Sequence, residues 1–205
     1  MTQKRAGRPL SFNRNEALLA SMHVFWAKGY EGASIKDLTS AMGINSPSLY
    51  AAFGDKHRLY LEAIDYYASN DACAPLVVFE TEPDITQAVR SFLKTVIDYS
   101  TENASGVRGC FLSSCVSTSA GEVEGAQERL QNAIVDTDAR IARRFELEKA
   151  RGELPEDLPS LERARLMLDL RQGYVFRCRA GLDPDSMRAD IEFRVQMILA
   201  PPYKG

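Results

Sequence analysis

The chain has 205 residues, of which 45% are hydrophobic and 26% charged, with a formal net charge of −3. That length can bury a proper core in one or two domains, and no apolar run approaches the roughly 18 residues a membrane span needs. The basic start from Met1 to Pro9 lacks the apolar stretch of a secretory signal, so a cytoplasmic chain is expected.

Cys73, Cys110, Cys115 and Cys178 are scattered, with no CxxC pair and no histidine beside them. This argues against a zinc site and a disulfide scaffold, so no metal or cofactor is expected. The charge is unevenly spread. The first 60 residues hold eight Lys/Arg against four Asp/Glu, which leaves +4 there and −7 for the rest. A basic head on an acidic body suits a polyanion-binding module attached to one that binds something else, although two solvated surfaces would give the same segregation.

In chain order, a first helix is expected from Arg14 to Lys28, with Asn13 as its N-cap, Glu16 three residues on, and Gly29 as its stop. Ala17, Ala20, Ser21, Val24 and Phe25 share one face at helical spacing. A second helix opens at Ser34, with Asp37 completing a capping box, and ends at Met42 before Gly43. A third takes Ser46 as N-cap and Pro47 as its first helical residue, and closes before Gly54. Asp55 caps a fourth, longer helix, with Leu59, Ala63 and Tyr66 on one stripe and Tyr60, Ile64 and Tyr67 beside it.

Pro75 and Pro83 mark a break. Ile85, Val89, Phe92, Val96 and Tyr99 then mark an amphipathic helix, and Cys110–Val116 reads as helix within a Ser/Gly-rich stretch. Leu130, Ile134, Thr137, Ile141 and Phe145 belong to a long, highly charged helix ending near Gly152. Two last helices, about Ser160–Ala180 and Asp185–Leu199, are separated by Gly181 and Pro184. No stretch alternates as a strand would, so the expected fold class is all-α.

The short turn Met42-Gly43-Ile44-Asn45 between two short helices has the form of a helix-turn-helix, since glycine supplies the left-handed backbone the turn needs. Ile35, Leu38, Met42, Ile44, Leu49 and Phe53 can form its small core. Asn45, Ser46, Ser48, Tyr50 and Ala51 remain on the outer face of its second helix, small or polar groups suited to a DNA groove. The pattern alone also fits a helical hairpin with no nucleic-acid partner.

The run Gly29-Tyr30-Glu31-Gly32-Ala33-Ser34-Ile35-Lys36-Asp37-Leu38, then Met42-Gly43-Ile44, then Ser48-Leu49-Tyr50-Ala51-Ala52-Phe53-Gly54-Asp55-Lys56, resembles the DNA-binding domain of the TetR/AcrR regulator family. The resemblance covers about residues 12–67 without a gap; the remainder resembles the family only in layout. It implies a helix-turn-helix domain with its basic arm over 1–56, and a helical effector-binding and dimerisation domain over 57–205. It implies phosphate contacts from Ser34, Tyr50 and Lys56, and base-edge reading from Asn45, Ser46, Pro47, Ser48 and Ala51. In the arm, Lys4, Arg5 and Arg8 within Lys-Arg-Ala-Gly-Arg-Pro resemble a minor-groove-binding segment; a basic tail adding only non-specific attraction is the alternative.

The body offers no catalytic constellation, because both histidines, His23 and His57, fall in the DNA-binding region. An enzyme is therefore not expected. The resemblance implies instead a small-molecule effector, with Phe92, Val96, Tyr99, Phe111, Leu112, Phe145, Tyr174 and Phe176 as candidate pocket residues. Aromatic residues at helical spacing are equally ordinary core. The stripe Leu168, Val175, Ile191 and Val195 is the candidate homodimer interface, since two recognition helices must fit a palindromic double-stranded operator. Cys110 and Cys115, five apart, point to different sides of a helix; a thiol sensor of reactive species would need a lowered pKa. The same contacts would serve a repressor released by its effector or an activator. A helical carrier or enzyme that uses the motif only structurally is the third reading.

Overall fold

The computed structural model describes residues 12–70, 74–102 and 106–201, and every regular element among them is helical. Lys4, Arg5, Arg8 and Cys73 lie outside the described residues. The chain divides into two compact units between Ala63 and Ile64, later than the boundary expected after Lys56.

In the first unit, α1 (Arg14–Gly32) starts as expected, the Asn13 side chain accepting from the backbone N–H groups of Asn15 and Glu16. Gly29, at φ 75° and ψ 170°, interrupts the helical backbone where the stop was expected. Ala17, Ser21 and Phe25 of the expected stripe are buried, joined by Leu18, Met22 and Trp26, whereas Ala20 and Val24 are only half-buried, so the true stripe is rotated from the expected one.

Helix α2 (Ile35–Met42) carries the expected capping box between Ser34 and Asp37. Gly43 takes the left-handed backbone, φ 65° and ψ 28°, and its N–H turns back to the carbonyls of Thr39 and Ser40. Helix α3 (Ser46–Phe53) differs by one residue from expectation. Asn45 is the cap, its side chain accepting from Ser48 N–H at 2.9 Å, so Ser46 is already helical and Pro47 is second. Asn and Ser cap equally well, and proline at either of the first two positions loses no helical hydrogen bond.

Helix α4 (Lys56–Ser69) is capped, as expected, by Asp55, whose carboxylate accepts from Arg58 N–H at 2.8 Å. Leu59, Tyr60 and Ala63 enter the first core beside Phe25; the Tyr60 ring meets Phe25 edge-on at 4.9 Å. Arg14 completes the joint. Its guanidinium forms a forked pair with Glu62 and lies 4.4 Å from the centre of the Phe53 ring.

The second unit contains a helix, α5 (Ala74–Thr81), where Pro75 suggested a break. Pro75 occupies its first turn, where proline is tolerated, and Leu76 and Phe79 supply the buried face. Phe79 packs edge-on against Phe92 of α6 (Ile85–Thr101) and Phe145 of α8 (Ala126–Ala150), with centroids 6.1 and 5.7 Å apart. Between α6 and α8, Leu112–Val116 is π-helical and runs into α7 (Ser117–Ser119).

The chain ends in α9 (Ser160–Arg179), α10 (Pro184–Arg188) and α11 (Ile191–Leu199). One continuous helix was expected from Asp185. The break arises because the Asp190 N–H bonds to the Met187 carbonyl, one residue tighter than an α-helical turn.

Candidate functional site

The α2–Gly43–α3 unit presents a narrow outward face. Leu38, Met42, Leu49 and Phe53 are buried and hold the two helices together, while Ile35 and Ile44 are half-buried. Along α3, Pro47 and Ala51 are exposed and Ser46 and Ser48 partly so, a strip without bulk. The Asn45 oxygen is engaged as the helix cap, which limits what it can offer a base. Tyr50 is 48% exposed and so is not a core residue.

Two helix starts flank this strip. At α2, the Ser34 N–H donates to Asp37 at 3.1 Å and its hydroxyl to the same oxygen at 2.7 Å. Lys28 pairs with the other oxygen at 2.6 Å. Lys28 above all, and then the Ser34 donors, hold the Asp37 carboxyl well below the usual carboxylate range. At α4, the Lys56 ammonium lies 4.4 Å from the Tyr30 ring centroid and 3.5 Å from the Glu31 carbonyl oxygen. Tyr30 in turn packs against both Phe25, ring parallel at 6.2 Å, and Tyr60, ring tilted at 4.9 Å. Small residues on the strip, donors at both helix starts and a phenol at its edge are groups of the kind that suit a DNA groove and phosphate oxygens.

The second unit holds a cavity of about 490 Å³ walled by α4, α8 and α9. Of the expected pocket residues, Leu112 lines it. Phe92, Phe111, Phe145 and Tyr174 are fully buried among other core side chains and are ordinary core. Val96 and Tyr99 border a separate hollow of about 10 Å³, room for one water, beside Tyr67, Cys110 and Arg171. Phe176 is 75% exposed and borders neither space.

The polar part of the lining, notably Arg129, Arg171 and Gln172, was not expected from the aromatic residues. A signal existed: Arg171 interrupts the apolar stripe Ala164, Leu168, Val175, Cys178 at helical spacing, and so had to be buried. Its Nη2 lies 3.6 Å from the Cys110 sulfur, to which the Tyr67 hydroxyl also donates at 3.4 Å. Burial opposes ionisation of the Cys110 thiol, but Arg171, Tyr67 and Ser113 together outweigh it and lower the pKa.

The expected dimer stripe also changes. Leu168 faces the cavity, and Val175, Ile191 and Val195 are buried within their own chain, so they have no surface to offer a partner. The large apolar side chains these helices leave most exposed are Phe176 on α9 and Phe193 on α11, at 75% and 70%, with Leu161 near the start of α9 less so. The two helices are tied together by Arg163, which donates to the Met197 and Ala200 carbonyls, and by Arg194, whose guanidinium lies 4.1 Å from the Tyr174 ring centre. Those contacts place Phe176 and Phe193 on neighbouring stretches.

Residues 17–63 match the model of the bacterial regulatory proteins of the tetR family. The HTH-type transcriptional repressor ComR of Escherichia coli is 27% identical over 87% of this chain and 85% of its own. The HTH-type transcriptional activator FasR of Mycolicibacterium smegmatis is 26% identical over 64% of this chain and 61% of its own. Among solved structures, a cysteine mutant of the TetR family regulator CifR, complexed with 26-bp double-strand operator DNA, superposes with a TM-score of 0.84. It is 30% identical, with 95% of this chain and 100% of that one covered. With the capped helix-turn-helix in place and a relative aligned over its whole length, the chain belongs to the TetR family of DNA-binding transcription regulators.

Proposed function

We propose that this regulator is a cytoplasmic homodimer that represses from a palindromic operator and is released by a small molecule in the 490 Å³ cavity. The observation that carries the reading is the reach of α4. Lys56 stands at its first turn, beside the recognition unit, while Asp65, Ala68 and Ser69 near its other end line the cavity. At 1.5 Å per residue, about 18 Å of continuous helix joins Lys56 to Ala68. A ligand that shifts the α4 end of the cavity wall moves the helix that carries Lys56, and with two copies it changes the spacing of recognition helices that must meet half-sites about 34 Å apart. DNA contacts come from Ser34, Tyr50 and Lys56 on phosphates and from Ser46, Pro47, Ser48 and Ala51 along the groove. The two copies meet through Phe176 and Phe193.

Selection of binding sites from random duplexes, followed by a reporter in a deletion strain, tests this. A palindromic consensus and a reporter that rises on deletion are expected. Failure to enrich any sequence would remove the DNA-binding reading. A reporter that falls on deletion would favour activation, the role named for the relative FasR.

A further inference from the structure

The cavity is lined by three arginines in different electrostatic situations. Arg129 pairs with Asp65 at 2.9 Å and Arg140 with Glu80 at 2.7 Å, so both are neutralised by neighbours. The remaining carboxylate on the wall, Asp136, lies 3.9 Å from Arg140. Arg171 is different. Only 9% exposed, it stands between the cavity and the small hollow beside Tyr67 and Cys110; it has no carboxylate within ion-pair distance among the described residues, and its polar side-chain contact there is the Cys110 sulfur at 3.6 Å. A guanidinium has five N–H donors, and burying its charge without a counter-charge is unfavourable. Beside it lie Gln172, whose Oε1 accepts from Ser113, and an apolar wall of Leu76, Leu112 and Leu168.

We propose that the cavity is a receptor for a small organic anion, a carboxylate carrying an apolar tail, whose charged end is bound by Arg171. The forked donor geometry of arginine matches a carboxylate in a way that a neutral ligand cannot use. The leucine wall takes the tail. This rests on the reading that the cavity is the effector site.

The test uses the full-length protein, with thermal unfolding and calorimetric titration read against a panel of probes: acetate, hexanoate, octanoate, benzoate and phenylbutyrate, each beside its neutral amide. At least one carboxylate of six or more carbons should raise the unfolding midpoint saturably, and its amide should bind about tenfold or more weakly. Arg171→Met should remove the preference for acid over amide, whereas Cys110→Ser should keep it. If Arg171→Met does not fold, Ala133→Trp, which fills the cavity from α8, should abolish binding of the same carboxylate. Equal binding of acid and amide, or no binding by any carboxylate of the panel, would overturn the proposal. Operator binding measured in parallel separates the two readings. A carboxylate that binds without releasing operator leaves the anion site standing and removes the induction mechanism. Release of operator by the amides alone does the reverse.

Discussion

The Lys56 ammonium rests 4.4 Å from the centre of the Tyr30 ring while its own helix begins at that residue. The aromatic face and the Glu31 carbonyl hold the charge in place before any polyanion arrives, so the entropy of ordering a long side chain is largely spent in folding. Lys56→Ala should weaken binding to operator and random DNA alike and flatten log K against log salt by about 0.9 for each phosphate no longer neutralised. Tyr30→Leu keeps the charge but removes its rest. It should lower affinity with the salt slope preserved, and a slope unchanged in Lys56→Ala would show that this ammonium does not face DNA.

At the start of α2, Lys28 and the Ser34 donors depress the Asp37 carboxyl. Its folded pKa lies below the unfolded value of about 3.9. The group therefore adds stability that is complete above the unfolded value and is lost as pH falls through the folded one. Asp37→Asn should flatten the acid side of the stability profile, leaving the variant and the parent closest at the lowest pH. Ser34→Ala removes the cap itself and should cost about 1 kcal/mol at neutral pH. Urea midpoints measured across the acid range check both.

Ser48 stands in the first turn of α3 with its N–H tied to Asn45 and its side chain partly exposed. Ser48→Arg should change the preferred operator while random-sequence affinity stays level or rises. Selection experiments that return one and the same site for both proteins would remove Ser48 as a reader.

Within the second unit, Arg144 and Glu148 of α8 form a pair at 2.9 Å with both side chains almost fully buried. Arg144 also donates to the carbonyls of Glu80, Glu82 and Pro83, fixing the turn between α5 and α6. Arg144→Met leaves the buried Glu148 with Arg151 as its remaining ion-pair partner among the described residues and strips three carbonyls of this donor. A loss of about 3–5 kcal/mol is expected in chemical denaturation, and a loss under about 1 kcal/mol would mean that the turn is held by other interactions.

Much of the first unit was legible because its signals are local. Asn13, Ser34 with Asp37, Gly43 and Gly54 each declare a helix end within four residues, and the structure follows them to within one position. The body was legible as helices but not as surfaces. A charged residue on a helix reads as solvent-facing until its neighbours are known, so Arg144, Glu148 and Arg171 gave no sign of burial except their register with Ile141, Phe145, Leu168 and Val175. Pro75 misled for a similar reason, since a proline breaks a helix in its middle and starts one at its first turn. Register alone does not assign a dimer face: the apolar stripe is there, but a stripe does not say whether its partner is the same chain.

Val195 is 2% exposed and closes the core between α11 and its neighbours, whereas Phe193, two residues before it, is 70% exposed. A pair of large aromatic side chains, Phe176 and Phe193, standing in water on adjoining helices is the pattern of a surface awaiting a partner. On a two-fold axis each would meet its own copy or the other's. Phe193→Glu, alone or with Phe176→Glu, brings like charges together there without touching either core. It should give a protein with a parental helical signal that sediments as a monomer, and operator binding should weaken steeply because two half-sites are no longer held together. Val195→Glu should instead reduce the folded fraction itself, since it places a carboxylate in the core of a single chain. A Phe176→Glu/Phe193→Glu protein that stays dimeric at micromolar concentration would place the interface on another face of the helical body.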